Sequence, residues 1–98
     1  MCFFRKKEVK LPNELYEFPP YTGKIKRGPI ITNTNSYLRY SYIISSDEHQ
    51  LTMYKELLRC NGFSTKNDIR FDRGQTNTYI IIEKNSYSTH KIAYHKGK

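Results

Sequence analysis

The sequence contains no tryptophan, and only two of its 98 residues are cysteines. These two, Cys2 and Cys60, are separated by more than half of the chain, which matches neither the close cysteine pairs of a zinc site nor a disulfide framework. We therefore expect no metal ion, no cofactor and a reducing, cytoplasmic setting. That setting would be a host cell if a virus encodes the chain.

Long apolar runs and phosphate-binding motifs are missing as well. No stretch reaches the roughly 20 apolar residues that cross a bilayer, and the apolar start at Met1–Phe4 is too short for a signal peptide. Neither Gly23-Lys24 nor Gly97-Lys98 opens a helix, so the sequence does not predict nucleotide hydrolysis. The length fits a single domain over residues 1–98. Because no apolar run is long enough to cross a bilayer, we expect no membrane partner.

Positive charge is what the sequence has in excess. Lys and Arg number 17 against 9 Asp and Glu, which gives a formal net charge of +8. Such a charge favours anionic partners and rapid encounter with them. The abundance of Asn, Lys, Ile and Tyr would also follow from an AT-rich genome, and this alternative explains part of the charge without any function.

Residues 46–61 are predicted to form an amphipathic helix. A hydroxyl of Ser45 or Ser46 is expected to cap the first turn. At the other end, Gly62 is expected to end the helix in the left-handed conformation, with Phe63 packing on Leu58. The predicted apolar stripe consists of Leu51, Tyr54 and Leu58, widened by Met53, Leu57 and Cys60.

Alternating hydropathy predicts the strands on which this helix packs. Residues 37–46 form one strand, 68–72 and 78–83 form a hairpin through a turn at 72–75, and 88–95 form the last strand. Residues 79–82 are apolar on both faces, so their strand is predicted to be central, with the helix on one face and the N-terminal segment on the other. The fold class is α+β: one helix on a small, mostly antiparallel sheet, in the order strands, helix, hairpin, strand.

The rest of the chain has weaker signals. Residues 10–23 contain Pro19-Pro20 and are predicted to be an irregular segment that buries Leu11, Leu15 or Tyr16, and Phe18. Gly28-Pro29 interrupts residues 24–32, which indicates an edge strand or a bulge. Residues 96–98 are expected to be a flexible tail.

Cationic and tyrosine side chains of the strands are expected to gather on the sheet face away from the helix. The loop with Lys24, Lys26 and Arg27 and the turn with Arg73 are expected to extend this surface. Guanidinium groups bind phosphates, and aromatic rings stack on bases. The predicted nucleic-acid or partner-binding residues are Tyr37, Arg39, Arg70, Arg73, Lys24, Lys26, Arg27, Lys84 and Lys91.

Two kinds of binding module are therefore compatible with the sequence. The first contacts nucleic acid, without a preference between DNA and RNA. The second is an inhibitor, encoded by a phage or mobile element, that binds a host protein such as a defence or nucleic-acid-handling enzyme, because Tyr and Arg are favoured anchors of protein interfaces. In that case the partner surface is acidic. The sequence leaves the oligomeric state open, a homodimer included.

A small ribonuclease is the third hypothesis, in which His90 or His95 would act as general base and Arg70 or Arg73 would stabilise the charge of the phosphorane-like transition state. The run from Leu57 to Ile82 resembles the small messenger-cleaving toxins of the HicA kind, which place Gly-Ser-His in their hairpin. Gly74-Gln75-Thr76 stands at that place here, so the resemblance supplies no catalytic imidazole. We therefore predict a binding module that is not an enzyme.

Overall fold

The computed structural model describes residues 9–74 and 77–98, and these residues form an α+β fold. One α-helix packs on an antiparallel sheet of six strands in the order β1-β2-β6-β5-β4-β3. A short 3-10 helix at Asn13–Leu15 precedes them. The elements are β1 Ile25–Asn33, β2 Tyr37–Ser45, α1 Glu48–Cys60, β3 Ser64–Thr65, β4 Arg70–Asp72, β5 Thr78–Lys84 and β6 Thr89–Gly97.

The helix begins later than the sequence predicts and ends as predicted. Asp47 caps it, since its carboxylate accepts a hydrogen bond from Gln50 N at 3.0 Å. The predicted serine cap is wrong. Because β2 continues to Ser45, the helix begins only at Glu48, and Asp47 takes the cap position directly before it. Gly62 has φ 87°, and Phe63 N donates to the carbonyl of Leu58 at 2.9 Å, which confirms the predicted end.

The buried stripe of α1 is narrower than predicted. Leu51, Tyr54 and Leu58 are buried, which confirms the centre of the stripe. Met53 is 56% exposed and Cys60 is also exposed, so their assignment to the stripe is wrong. At about 100° per residue, these two side chains lie roughly 140° and 160° around the helix from Leu58, too far to reach the sheet.

The N-terminal segment packs on the same side of the sheet as the helix. Leu15 and Phe18 are buried as predicted, and the Phe18 ring lies 5.6 Å from the ring of Tyr94. Tyr21 meets Tyr54 edge to face at 5.0 Å. The expectation that this segment covers the second face of β5 is therefore wrong. The helix covers only part of the apolar side, and these aromatic side chains fill the rest of it.

The strands differ from the prediction mainly at their ends. β5 is central as predicted and shares that position with β6, while β1 is an edge strand with register shifts between Ile25 and Ile30. β4 is shorter than predicted because Asp68 has φ 62°, which ends the extended backbone there. β6 includes Lys96 and Gly97, where a flexible tail was expected, and Lys98 N donates to Ser36 O at 2.9 Å. Gln75 of the predicted turn and Cys2 lie outside the described residues.

Candidate nucleic-acid interface

The sheet face opposite α1, which we call the open face, carries every second residue of β2, β6, β5 and β4. The register places Arg39 beside His95, and His95 beside Tyr79. Within the described ranges, the helix and the N-terminal segment both lie on the other face. The next row of the open face is formed, in strand order, by Ser41, Ala93, Ile81 and Arg70.

Three rings on the open face stack into a row, which we call the aromatic ladder: Tyr37, His95 and Tyr79. The ring centres of Tyr37 and His95 are 4.8 Å apart, and those of His95 and Tyr79 are 4.4 Å apart with an interplanar angle of 17°. Guanidinium groups flank the row. Cζ of Arg70 lies 3.8 Å from the centre of the Tyr79 ring, and Cζ of Arg39 lies 5.6 Å from the centre of the Tyr37 ring.

Arg39 is hydrogen-bonded to neutral partners. Its Nε donates to Nδ1 of His95 at 3.2 Å, and its Nη2 donates to the hydroxyl of Tyr79 at 3.4 Å. A guanidinium only donates, so Nδ1 must accept and the neutral imidazole carries its proton on Nε2. No carboxylate of the described residues lies within ion-pair distance of Arg39. Its positive charge is therefore not neutralised within this part of the chain.

The surroundings of His95 favour its neutral form. Burial in the ladder lowers the pKa of the imidazole below its ordinary value of 6.5, and the charges of Arg39 and Arg70 lower this pKa further. Both arginines therefore act on the same ring, although they come from strands on opposite sides of β6. At neutral pH the open face holds two close cations around an uncharged imidazole.

Arg70 differs from Arg39 because a carboxylate partly offsets its charge. Its Nε donates to both carboxylate oxygens of Asp72, at 3.1 and 3.2 Å. Both side chains are well exposed, so water screens this pair and its contribution to stability is small. Arg70 thus remains accessible to an external anion, in competition with Asp72.

Arg27 and Lys91 also lie on the open face, although Arg27 was expected in a loop beside it and belongs to β1. Arg27 pairs with Ile43 at the outer strand β1, while Lys91 lies between Ile43 and Glu83. The carboxylate of Glu83 adjoins Lys91 in the register, so this end of the open face is less positive than the end with Arg39.

Lys84 and Arg73 lie on the helix side, which corrects their predicted position. Lys84 pairs with His90 in the register of β5 and β6. Strand alternation turns its side chain to the face opposite that of Glu83. Cζ of Arg73 lies 5.2 Å from the centre of the Phe63 ring, just past the end of α1. Neither side chain adds charge to the open face.

Lys24 and Lys26 are not part of the ladder either. The backbone N–H of Lys24 donates to Gln50 of α1 at 2.9 Å, so this residue lies beside the helix. Lys26 falls in the register shift between Ile25 and Arg27, at the sheet edge. Charge alone placed these residues in the predicted site, and the fold does not gather them there.

The two imidazoles of the ribonuclease hypothesis are separated by the sheet. His90 and His95 are five residues apart on β6, so they face opposite sides of it. His95 belongs to the ladder, whereas His90 is next to the start of α1. The geometry does not bring them together as an acid and a base.

Sequence reasoning missed two members of the ladder, Tyr79 and His95. Alternation alone places both on the face of Ile81 and Lys91. Their contact with Arg39 depends on the register of three strands, of which β2 and β6 are far apart in the chain. A search for aromatic residues on the same strand face as the arginines would have found them as candidates.

No protein-family model matches this chain, and the searches of curated proteins and of solved structures found no significant match. The helix of the described residues is too short to cross a membrane. Within residues 9–74 and 77–98, no three His, Cys, Asp or Glu side chains meet as a group that would hold a metal ion. The fold and the open face therefore carry the functional argument.

Proposed function

We propose that the protein binds nucleic acid through the open face, and that this face acts as a binding surface without chemistry of its own. The observation that carries this proposal is the placement of Arg39 beside the aromatic ladder without a carboxylate partner among the described residues. The anions that suit such a guanidinium are planar or tetrahedral oxyanions, which include carboxylates and phosphates. A chain of net charge +8 adds long-range attraction for a polyanion.

Phosphate contact is expected to dominate this binding. The rings of the ladder already stack on one another, and His95 between the two tyrosines is only 9% exposed, so few ring faces are left for bases. Arg39 and Arg70 both contact Tyr79, so their guanidinium groups can bind phosphates of the same short stretch of nucleic-acid backbone. Contacts to phosphates position a protein on nucleic acid and carry no sequence information directly. We therefore expect weak sequence preference.

The test is binding of a fluorescently labelled single-stranded oligonucleotide, followed by anisotropy over a salt series. Each phosphate contact contributes about 0.7 to the slope of log affinity against log salt for a single strand, so Arg39→Ala should lower that slope by about this amount. Arg39→Lys keeps the charge but loses the forked donor, and it should restore part of the affinity.

Arg59→Ala is the matched control, since it removes one positive charge from α1 on the other side of the sheet. Its guanidinium is 52% exposed and lies 3.6 Å from Asp68, so its loss should leave binding nearly unchanged. If both alanine variants reduce affinity equally, or if the protein does not bind at low salt, the open face is not the binding site. Duplex DNA and RNA in parallel assays identify the preferred form.

An inhibitor that binds a host protein is the second candidate, and the edge strand β1 favours it. Ile30 and Ile31 are 62% and 52% exposed on β1, whose outer edge pairs with no other strand of the described residues and can accept an added strand. A stoichiometric host protein that is retained after nuclease treatment and lost with Ile31→Lys would support this candidate. Recovery of nucleic acid alone would count against it.

A further inference from the structure

A serine and a histidine lie in direct contact on the helix side of the sheet, away from the open face. Oγ of Ser46 is 2.6 Å from Nδ1 of His90. The ammonium of Lys84 lies 3.4 Å from the same Oγ. The proposed binding at the open face uses none of these three groups.

The fold holds this contact from three elements. Ser46 follows β2 directly, and its N–H donates to the carbonyl of Ser88 at 2.9 Å, which ties it to the hairpin of β5 and β6. His90 pairs with Lys84 across that hairpin. The carbonyl of Tyr87 accepts from the Lys84 ammonium at 3.0 Å and holds it in place. Each group is thus fixed by backbone contacts outside the pair.

The proton positions follow from what each group can donate. Lys84 has no acceptor, so Oγ of Ser46 accepts from it and its own hydrogen is left to point at His90. Burial lowers the pKa of His90 below its ordinary value, Lys84 and Lys55 lower this pKa further, and Glu48 opposes them. The imidazole is therefore neutral near pH 7, and Nδ1 accepts the hydroxyl hydrogen. Hydroxyl and acceptor imidazole are then arranged as a nucleophile and its general base.

We propose that Ser46 is a nucleophile activated by His90, and that the pair transfers acyl groups from small activated esters. A cleft of about 330 Å³ adjoins it, with His90 in its wall together with Glu48, Leu51, Thr52 and Lys55 of α1. The cleft is lined by His90 and not by Ser46, so an ester bound there must reach past the imidazole to meet Oγ. The ammonium of Lys84 stabilises negative charge as it forms on the attacked group.

The proposed reaction needs only water besides the ester. Oγ of Ser46 forms a bond to the carbonyl carbon, its proton passes to Nδ1 of His90, and the leaving alcohol departs with that proton. Water then attacks the acyl-serine, gives its proton to the same nitrogen, and releases the carboxylic acid. Oγ recovers its proton from His90, so atoms and charges balance over the cycle.

The test uses a fluorophosphonate, which forms a phosphorus–oxygen bond to an activated serine and expels fluoride. Intact mass should show one adduct, and peptide mass spectrometry should place it on Ser46. His90→Gln should lower the labelling rate by about 100-fold or more, the range of general-base contributions. Ser64→Ala, which removes an exposed serine of β3, should label like the wild-type protein. Circular dichroism checks that each variant folds.

The pH dependence separates activation from background reaction. The rate should rise through an apparent pKa below 6.5 and then level off, because only the neutral imidazole accepts the proton. Release of p-nitrophenol from p-nitrophenyl acetate should follow the same profile. Three results would overturn the proposal: labelling at another residue, a rate in Ser46→Ala or His90→Gln equal to that of the wild-type protein, or a rate that keeps rising with hydroxide concentration. The contact of Ser46 with His90 would then be only a structural hydrogen bond.

Discussion

Removing one buried hydroxyl should measure how firmly the N-terminal segment is attached to the sheet. Tyr54 and Tyr94 have one hydroxyl hydrogen each, and the hydroxyl of Tyr54 donates to the carbonyl of Pro19. Tyr94 must then donate to Tyr54, over 3.2 Å, while it accepts from the N–H of Tyr21 at 2.9 Å. The three bonds form one chain that runs from the N-terminal segment to the core and back.

Tyr94→Phe breaks two bonds of this chain. The ring stays in place and no large cavity opens, so the main cost is the N–H of Tyr21, left without a partner in the interior. A buried donor without an acceptor costs about 1–3 kcal/mol. For a domain of this size, about 2 kcal/mol lowers the melting temperature by about 8–16 °C.

The assay is urea unfolding followed by circular dichroism, with thermal melting as a second measurement. Tyr21→Phe is the matched control, because its hydroxyl is buried and has no hydrogen-bond partner among the described residues. Its removal should be neutral or stabilising. The double variant of Tyr54→Phe and Tyr94→Phe should cost less than the sum of the single changes, since they share a bond. Full additivity, or a Tyr94→Phe cost below about 0.5 kcal/mol, would show that these three hydrogen bonds do not hold the N-terminal segment to the core.

Two further predictions concern charge on the open face. Bound phosphates favour protonated His95, whose pKa in the free protein is lowered by burial, Arg39 and Arg70, so oligonucleotide affinity should rise as pH falls from 7.5 to 5.5. His95→Gln keeps an acceptor for Arg39 and should abolish that rise. If the affinity of this variant still rises at low pH as in the wild-type protein, protonation of His95 is not the cause. Asp72→Asn removes the carboxylate that competes for Arg70, and it should tighten binding by about 0.5–1 kcal/mol, roughly two- to fivefold. Weaker binding by anisotropy would show that Arg70 needs Asp72 to hold its position.

Local signals predicted the helix and the strand faces well. Gly62 and Phe63 fixed the end of α1, and the alternation of β2 placed Leu38 and Ile44 in the core. These features depend on neighbours in sequence, so a pattern over a few residues determines them. The serine cap failed because Asp47 is an equally good cap one residue later, and only the length of β2 decides between them.

The candidate site was less predictable because it depends on pairing across the sheet. Arg39 and His95 are 56 residues apart, and their contact exists only in one register of β2 against β6. Lys84 was misplaced for a different reason, because the strand was predicted to end at Glu83, whereas β5 continues to Lys84 and alternation puts this residue on the face of Ile82. Charge counts predict that cations are present but not where they gather.

The arrangement around His95 supports the binding proposal over the view that these arginines are ordinary solvated side chains. A surface cation kept only for solubility gains nothing from lying close to another cation around a desolvated ring. Here the charges of Arg39 and Arg70 both lower the pKa of His95, so both cations lie close enough to this ring to act on it. Asp72 offsets one of these charges. No carboxylate of the described residues offsets the charge of Arg39, which is why the proposed binding assigns a phosphate to it.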